Sequence, residues 1–432
     1  MVFFVRPSVI DGVINAPGSK PYTHRALFIS ALTDGTSIIE NPNISDDVME
    51  TIDVLRSLKA TVDIDDDKKK ITVKGKINID DDLEVKCTYS GTTFRFVTSI
   101  ATLRSGITSI KISDDLAIRP IDPLLDAINK NSVKIDIEKD RVNIKGPINA
   151  EDIEIDGSLS SQFVSGLLIA LPLIGNGTSL NVVNNVVSYP YITATIQFMK
   201  NAGITVKNNN TKYYVNNADG YKPAKYVIPG DITAIIPVIA GAFMTHGAVS
   251  INNITDGFMQ PDLKTIQYLE EAGMDIKIEN NSLSVGNINS SIISREVDVA
   301  DIPDSFPILS ILFSMSDGIA VLKGIARLKF KESDRVNETC KILEEIKAGY
   351  LIDEYLDMLK IYRINNLKKF KKFKNFITED HRIFMAAVIA ALSGTEESVI
   401  NGSSKKSYPD FIKDLKNLKA DITEEPPPAQ SD

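Results

Sequence analysis

The sequence predicts an inside-out α/β fold with two domains, each built from three β-α-β-α-β-β units with buried helices and outer sheets. Three observations lead to this prediction. A helix-and-strand pattern recurs about once every 70 residues, roughly six times along the 432-residue chain. One helix of each repeat is apolar on nearly all sides, which is typical of a buried helix. The strands alternate apolar and polar residues, as sheets with one exposed face do.

The elements of the repeat follow one another in a constant order. The apolar helices are predicted at Arg25–Leu32, Phe94–Leu103, Gln162–Leu171, Ala234–Met244, Phe306–Met315 and Arg382–Leu392. Each is followed by a turn and a strand, as at Thr36–Ile39. A second helix and an alternating strand come next, and the second helices begin near Asp46, Pro120, Tyr189, Gln260, Ser333 and Tyr408. The spacing predicts six copies of one structural unit.

Two breaks in the pattern mark the expected domain boundaries. One lies at Pro229-Gly230-Asp231 and the other at Pro17-Gly18. We therefore expect a first domain over 18–228, and a second over 229–423 that also takes the N-terminal strand within 1–17. The Pro-rich tail over 424–432 is predicted to be disordered.

Composition excludes several classes of protein. A net charge of −9 provides no general attraction for nucleic acid. Two cysteines without a shared motif and three histidines indicate neither a disulfide framework nor a metal site. No run of about 18 apolar residues predicts a membrane span, and the apolar N-terminus is too short for a signal peptide. We expect a cytoplasmic monomer.

The first apolar helix has basic residues at its N-terminus. Lys20, His24 and Arg25 lie where the helix dipole favours acidic side chains. Free backbone N–H groups together with a lysine and an arginine form a site for an anion. A solvated basic turn is the alternative interpretation of this stretch. We interpret His24 as structural.

Similar residues recur before other helices of the repeat. The basic residues are Lys20, Arg25, Arg119, Lys331, Arg335, Arg382 and Lys406. Small or polar residues that suit ligand contact are Gly91, Ser160, Ser161, Gln162 and Ser188. If these helix ends converge, they form a strongly cationic cleft. Its ligands would be small molecules with phosphate and carboxylate groups, which arginine binds in a bidentate manner.

These runs, in this order, resemble the 5-enolpyruvylshikimate-3-phosphate (EPSP) synthase family over nearly the whole chain. The runs are Pro17–Lys20 with His24–Ala26, Ser90–Thr92, Arg119-Pro120, Ser160–Phe163, Ile302–Asp304, Lys331–Arg335, Asp380–Arg382 and Lys406–Asp410. The resemblance implies transfer of the enolpyruvyl group of phosphoenolpyruvate to the 5-hydroxyl of shikimate 3-phosphate. This step leads toward chorismate and the aromatic amino acids, and it uses no metal and no cofactor.

The resemblance also implies roles for individual residues. Shikimate 3-phosphate would contact Lys20, Arg25, Ser160, Ser161, Gln162, Ser188, Asp304 and Lys331. Phosphoenolpyruvate would contact Lys20, Gly91, Arg119, Gln162, Arg335, Arg382 and Lys406. Addition of the 5-hydroxyl to the central carbon of phosphoenolpyruvate, followed by loss of phosphate, would require an acid and a base. We expect Asp304 as the base, and Glu332 with Lys20 or Lys331 to handle the other proton.

Alternatives remain for these residues and for the whole chain. Asp304 could instead cap a helix, and Glu332 could be an acid favoured by the dipole of a first turn. A UDP-N-acetylglucosamine enolpyruvyl transferase shares fold and donor, but the loop Ser113–Arg119 lacks the cysteine typical of that family. A non-catalytic anion-binding relic is the other alternative. It is suggested by Pro21, where the EPSP synthase family usually has serine, and by a divergent segment over 347–378.

Overall fold

The computed structural model describes residues 1–75, 77, 80–175, 177–209, 211–215, 220–255, 260–286, 291–363 and 370–426. The chain divides into two compact units: the N-unit, Gly18–Ile228, and the C-unit, Met1–Pro17 with Pro229–Asp432. Within the described ranges, none of the helices combines the length and the apolar character needed to cross a membrane.

The chain starts in the C-unit with β1 (Val2–Val5) and β2 (Gly12–Asn15), and then builds the whole N-unit. The N-unit contains α1 (Lys20–Ala31), β3 (Thr36–Glu40), α2 (Asp46–Ser57), β4 (Thr61–Ile64), β5 (Lys70–Lys74), β6 (Leu83–Cys87), α3 (Gly91–Ala101), β7 (Thr108–Ile112), α4 (Asp114–Ala117), α5 (Asp122–Asn129), β8 (Lys134–Glu138), β9 (Arg141–Lys145), β10 (Asp152–Asp156), α6 (Ser161–Ala170), a 3₁₀ turn (Leu171–Leu173), β11 (Ser179–Val183), α7 (Tyr189–Asn201), β12 (Val206–Asn208), β13 (Lys212–Val215) and β14 (Lys225–Val227).

The chain then returns to the C-unit. This part contains α8 (Ile232–Met244), β15 (Val249–Asn252), α9 (Leu263–Glu271), β16 (Asp275–Glu279), β17 (Ser282–Gly286), β18 (Glu296–Asp298), α10 (Phe306–Phe313), β19 (Ile319–Lys323), a 3₁₀ helix (Ala326–Phe330), α11 (Arg335–Glu345), β20 (Gly349–Asp353), β21 (Met358–Tyr362), β22 (Phe376–Ile377), α12 (His381–Leu392), β23 (Ser398–Asn401), α13 (Phe411–Asn417) and β24 (Ile422–Glu425).

Six four-stranded sheets are formed by the described residues, three in each unit. The N-unit sheets have the orders β14-β3-β5-β4, β6-β7-β9-β8 and β10-β11-β13-β12. The C-unit sheets have the orders β2-β15-β17-β16, β18-β19-β21-β20 and β22-β23-β1-β24. In every sheet the first two strands are parallel and the other neighbours are antiparallel. The six sheets thus share one topology.

The apolar helices lie inside the units. Helix α3 connects the parallel strands β6 and β7, and α6 connects β10 and β11, because parallel neighbours need a crossover connection. Every residue of α8 and of α12 is buried, as expected for helices that are apolar on all sides. The predicted architecture of buried helices and outer sheets is confirmed.

The repeat is less regular along the chain than the sequence suggests. Three sheets take a strand from a distant part of the chain: β14 pairs with β3, β2 pairs with β15, and β1 pairs with both β23 and β24. Strands of only three or four residues, such as β14, β2 and β1, carry too little pattern to reveal such a partner.

The prediction of a disordered tail from residue 424 is wrong for its first two residues. Glu424 and Glu425 belong to β24 and pair with Phe3 and Val2 of β1. The antiparallel partner supplies backbone hydrogen bonds that composition does not report. Residues 427–432 lie outside the described part of the chain.

Candidate active site

In the N-unit, the basic start of α1 is paired with an acid. Lys20 is the first residue of the helix, and its ammonium Nζ lies 2.7 Å from Oδ2 of Asp47, in the first turn of α2. Both side chains are largely buried. Because Asp47 compensates the charge of Lys20, the unfavourable interaction with the dipole of α1 is offset by a direct ion pair.

Arg25 lies in the second turn of α1 and is only 2% exposed. Its Nε donates to Thr195 Oγ1 at 2.8 Å, its Nη1 donates to the carbonyl of Pro21 at 2.8 Å, and its Nη2 donates to the carbonyl of Tyr191 at 3.1 Å. Burial lowers the pKa of this guanidinium to about 10. Arg25 therefore connects α1 to α7, and its contact with a substrate stays a prediction.

Two guanidinium groups lie beside Gly91, the first residue of α3. A Cβ atom at this position would lie 3.2 Å from Nη1 of Arg95 and 3.3 Å from Nη1 of Arg119. These distances are shorter than ordinary van der Waals contacts, so the site requires glycine if both arginines keep their positions. Two cations at a helix N-terminus form a ready site for an anion.

The start of α6 contacts the same cluster. Ser160 caps the helix by accepting from the backbone N–H of Gln162 at 3.3 Å. The side-chain oxygen of Gln162 accepts from Arg95 Nη1 at 2.6 Å, and its amide donates to Thr92 Oγ1 at 2.9 Å. Ser161, the first residue of α6, is buried. The structure thus brings the predicted residues Gly91, Arg119 and Gln162 together around Arg95.

Arg95 is a site residue that sequence reasoning missed. It lies four residues after Gly91 and therefore on the same face of α3. That spacing is the signal that could have identified it. The central carbon of its guanidinium also lies 5.4 Å from the ring centre of Phe163, which is within the range of a cation–π contact.

Ser188, the residue before α7, has a strained backbone. Its φ of 51° and ψ of 40° lie in the left-handed region, which non-glycine residues rarely adopt. The residue is buried. Such strain is often found at ligand sites, which supports a functional role for this position.

If phosphoenolpyruvate binds at Gly91, as the family resemblance implies, replacing Gly91 with alanine and then valine should weaken its binding in steps. The new side chain must displace the ends of Arg95 and Arg119, which are flexible, so the protein should still fold. We expect the KM for phosphoenolpyruvate to rise about 10-fold for Gly91→Ala and further for Gly91→Val, since sub-ångström displacements of binding groups are costly. Steady-state kinetics measures both, and an equal KM in all three proteins would contradict the crowding argument.

In the C-unit, a single arginine is surrounded by carboxylates. Arg335 is fully buried at the start of α11. Its Nε donates to Asp380 Oδ2 at 2.9 Å, its Nη1 to Asp304 Oδ1 at 2.6 Å, and its Nη2 to Glu332 Oε2 at 2.6 Å. The position, which the sequence predicts to bind phosphoenolpyruvate, is therefore also the centre of a buried ion cluster. A guanidinium carries further N–H donors beyond these three bonds.

Asp304 is held as an anion by two arginines. Its Oδ2 lies 3.1 Å from Nη2 of Arg382, in addition to its bond with Arg335. Burial alone would raise the pKa of the Asp304 carboxyl, but Arg335, Arg382 and Lys331 outweigh burial and keep the pKa well below 3.8. The helix-cap alternative does not apply, because Ser305 is the N-cap of α10.

Lys331 and Glu332 precede α11 without belonging to it. Glu332 lies outside the helix that begins at Arg335, so the alternative of a first-turn acid does not describe it. Burial, together with the positive charges of Arg335 and Arg327, lowers the pKa of the Lys331 ammonium to about 8, against the opposing attraction of Asp304 and Glu332. Lys331 therefore exchanges its proton near neutral pH.

Asp380 is a second residue whose role sequence reasoning missed. As the N-cap of α12, it accepts from the backbone N–H of Arg382 at 2.8 Å while it binds Arg335 through its other oxygen. Ser333 Oγ donates to the same carboxylate at 3.1 Å. An aspartate directly before a helical pattern is a cap signal, but nothing local indicates that it also binds an arginine 45 residues earlier.

The remaining predicted cation, Lys406, lies in the loop between β23 and α13 and is half-buried. Tyr408 in the same loop is fully buried, and its hydroxyl donates to Asp414 Oδ2 at 2.7 Å. This bond ties the loop to the helix that follows it. Among the described residues, no group of His, Cys, Asp or Glu side chains is arranged to hold a metal ion.

Solved structures first identify the fold. An EPSP synthase from Acinetobacter baumannii matches with a TM-score of 0.78 at 21% identity, covering 98% of this chain and all of that one. The enolpyruvyl transferase NikO from Streptomyces tendae matches with a TM-score of 0.79 at 14% identity, covering 98% and 99%. The fold is that of the enolpyruvyl transferases.

Sequence comparisons define the family within this class. The profile of the family described as EPSP synthase (3-phosphoshikimate 1-carboxyvinyltransferase) matches residues 5–415. A 3-phosphoshikimate 1-carboxyvinyltransferase of Thermococcus kodakarensis is 36% identical over 423 residues, covering 96% of this chain and 99% of that protein. One of Methanocorpusculum labreanum is 32% identical over 434 residues, covering 98% and 100%. The chain belongs to the EPSP synthase family.

Proposed function

We propose that this protein is a 3-phosphoshikimate 1-carboxyvinyltransferase. It transfers the enolpyruvyl group of phosphoenolpyruvate to the 5-hydroxyl of shikimate 3-phosphate and releases phosphate. The observation that carries this proposal is the family match over residues 5–415, together with full-length relatives that bear this name. The relatives do not favour the UDP-N-acetylglucosamine alternative.

The two sets of side chains suit two anionic substrates. Phosphoenolpyruvate would bind Lys20, Gly91, Arg119, Gln162, Arg335, Arg382 and Lys406, and shikimate 3-phosphate would bind Lys20, Arg25, Ser160, Ser161, Gln162, Ser188, Asp304 and Lys331. Arg335 has N–H groups beyond those that its carboxylate partners use, but its side chain is only 1% exposed, so its contact with phosphoenolpyruvate stays a prediction. Arginine suits both the carboxylate and the phosphate of the donor substrate.

Pro21 is compatible with this function. It lies at the first turn of α1, where a backbone N–H has no partner within the helix, and its carbonyl accepts from Arg25. The serine hydroxyl usual in the family is lost, but the shape of the helix start is kept. Pro21 therefore gives little support to a non-catalytic relic.

The reaction requires one proton to be removed and another to be supplied. Asp304, as an anion, takes the proton of the 5-hydroxyl while that oxygen attacks the central carbon of phosphoenolpyruvate. An acid protonates the methylene carbon, which gives a tetrahedral ketal phosphate. Phosphate then leaves, and loss of a proton from the methyl group restores the double bond of the product.

The charges around Asp304 and Lys331 bear on these two roles. Arg335 and Arg382 keep the pKa of Asp304 low, and an anionic substrate that shares those guanidinium groups would raise it toward the range of an effective base. Lys331 suits the role of proton donor because its pKa of about 8 lies near neutral pH. Glu332, bound to Arg335, would orient that arginine.

The test is phosphate release from phosphoenolpyruvate in the presence of shikimate 3-phosphate, with UDP-N-acetylglucosamine as the parallel acceptor. We expect release with shikimate 3-phosphate alone. Release with UDP-N-acetylglucosamine instead would assign the alternative transferase. No acceptor-dependent release would contradict the proposed function.

The pKa of Lys331 predicts how binding depends on pH. Shikimate 3-phosphate should bind less tightly as the pH rises through about 8, because Lys331 loses its positive charge there. A Lys331→Arg variant remains charged, so its affinity should change less between pH 7 and pH 9. Calorimetric titration of both proteins at the two pH values measures the difference, and parallel losses of affinity would show that Lys331 does not contact this ligand.

A further inference from the structure

Glu50 binds the loop that precedes α3. It lies on α2 and is 9% exposed, and its carboxylate accepts three backbone N–H groups of that loop. The N–H of Thr88 donates to Oε2 at 2.6 Å, that of Tyr89 to Oε2 at 2.8 Å, and that of Ser90 to Oε1 at 3.0 Å. A buried carboxylate is costly unless hydrogen bonds satisfy it, and here three consecutive amides do so.

The same loop is bound from its other side. Ser113 Oγ donates to the carbonyl of Thr88 at 2.7 Å, and Ser113 is six residues before Arg119. Ser90 caps α3 by accepting from the backbone N–H of Thr93 at 3.1 Å. Glu50 therefore holds the backbone N–H groups of the loop, and Ser113 holds one of its carbonyls, directly before Gly91.

The residues next to this loop are those around Gly91. Gly91 follows Ser90 directly, and the guanidinium groups of Arg95 and Arg119 lie against it. A shift of the loop would move the start of α3 relative to Arg119. The position of this helix start thus depends on the three bonds to Glu50.

We infer that Glu50 is a positioning residue for the donor substrate. Its carboxylate acts as an internal anion that orders the amides of 88–90, and this order places Gly91 and Arg119 to bind the phosphate or carboxylate of phosphoenolpyruvate. The inference rests on the proposed function for the identity of that substrate. Glu50 itself does not contact the substrate, because its oxygens are occupied by the loop.

Burial and the loop amides act on the ionisation of Glu50 in opposite directions. Burial raises the pKa of its carboxyl, while hydrogen bonds from the three amides lower it, and Asp47 raises it. The carboxylate is the form that can accept all three bonds. Asp47, whose negative charge raises the pKa of Glu50, is itself the ion-pair partner of Lys20.

The test replaces Glu50 with glutamine, which keeps the size but places an amide donor among backbone donors. We expect the KM for phosphoenolpyruvate to rise about 10- to 100-fold, with the KM for shikimate 3-phosphate changed less than about twofold. The matched control is Glu154→Gln, an exposed glutamate of β10, which should change neither value. Equal changes in both KM values, or no change, would overturn the inference.

Amide hydrogen exchange provides a second measurement that does not depend on turnover. Exchange at Thr88, Tyr89 and Ser90 should be at least 10-fold faster in Glu50→Gln than in the wild-type protein, and equal rates would overturn the inference. If Glu50→Gln does not fold, the exchange of these three amides in the wild-type protein decides instead: fast exchange there would overturn the inference. If the wild-type protein releases no phosphate, the proposed function fails. The role of Glu50 is then still tested by amide exchange and by the calorimetric affinity for phosphoenolpyruvate.

Discussion

Replacing Arg335 with methionine should lower the free energy of unfolding by about 3–5 kcal/mol, the cost typical of breaking a buried ion pair. Its side chain is only 1% exposed and binds Asp304, Glu332 and Asp380. Without it, three carboxylates remain close together with much of their compensating charge lost. Urea denaturation followed by circular dichroism measures the loss.

The control for this prediction is Arg6→Met in the same unit. Arg6 also pairs with two carboxylates, those of Glu397 and Asp421, but its side chain is 46% exposed. Exposed pairs contribute little because water and salt screen them, so the denaturation midpoint should hardly move. If both variants lose the same stability, the buried cluster is not what holds this part of the C-unit together.

Replacing Asp304 with asparagine should lower kcat about 10²- to 10⁴-fold, the range usual for loss of a general base. Asparagine keeps the shape of the side chain and one acceptor oxygen, but it cannot take the proton of the 5-hydroxyl. Steady-state phosphate release measures the effect. Asp317→Asn, at an exposed position of the same unit that forms an isolated β-bridge with Ile293, is the control and should retain full activity.

The KM for phosphoenolpyruvate distinguishes this role from a structural one. Asp304 occupies one Nη atom of Arg335 and one of Arg382. Removal of its charge leaves both guanidinium groups more available to an anionic ligand, so the KM should stay equal or fall. A raised KM together with an unchanged kcat would show that Asp304 binds substrate without acting as the base.

Helix positions were predictable because they depend on local pattern. The predicted helix at Phe306–Met315 corresponds to α10 at Phe306–Phe313, and that at Arg382–Leu392 to α12 at His381–Leu392. Helix α1 begins at Lys20, the basic helix start that the sequence predicts, although its continuous apolar pattern starts only after Arg25. A helix repeats its apolar residues within its own length, so the sequence reveals it locally. The residues around a strand such as β14 do not indicate that it pairs with the distant strand β3.

The sequence predicts the cations of the candidate site, but it does not predict which acidic side chains pair with them. Lys20, Arg335 and Arg382 stand out in the sequence because they lie at helix starts, where cations are disfavoured. Asp47, Asp380 and Glu50 look like ordinary acids at helix starts or on an amphipathic helix. Each has a second role that depends on a group at least 27 residues away in the chain.

The sequence by itself determined the repeated architecture, the family and the set of basic and polar residues from which the candidate site is built. Only the tertiary structure decided which carboxylate binds which cation, that Arg95 lies beside Gly91, and that Glu50 orders the loop before α3. The reason is physical: periodicity and helix-start preferences act over a few residues, whereas ion pairs and buried hydrogen bonds form between whichever groups the folded chain brings within about 3 Å.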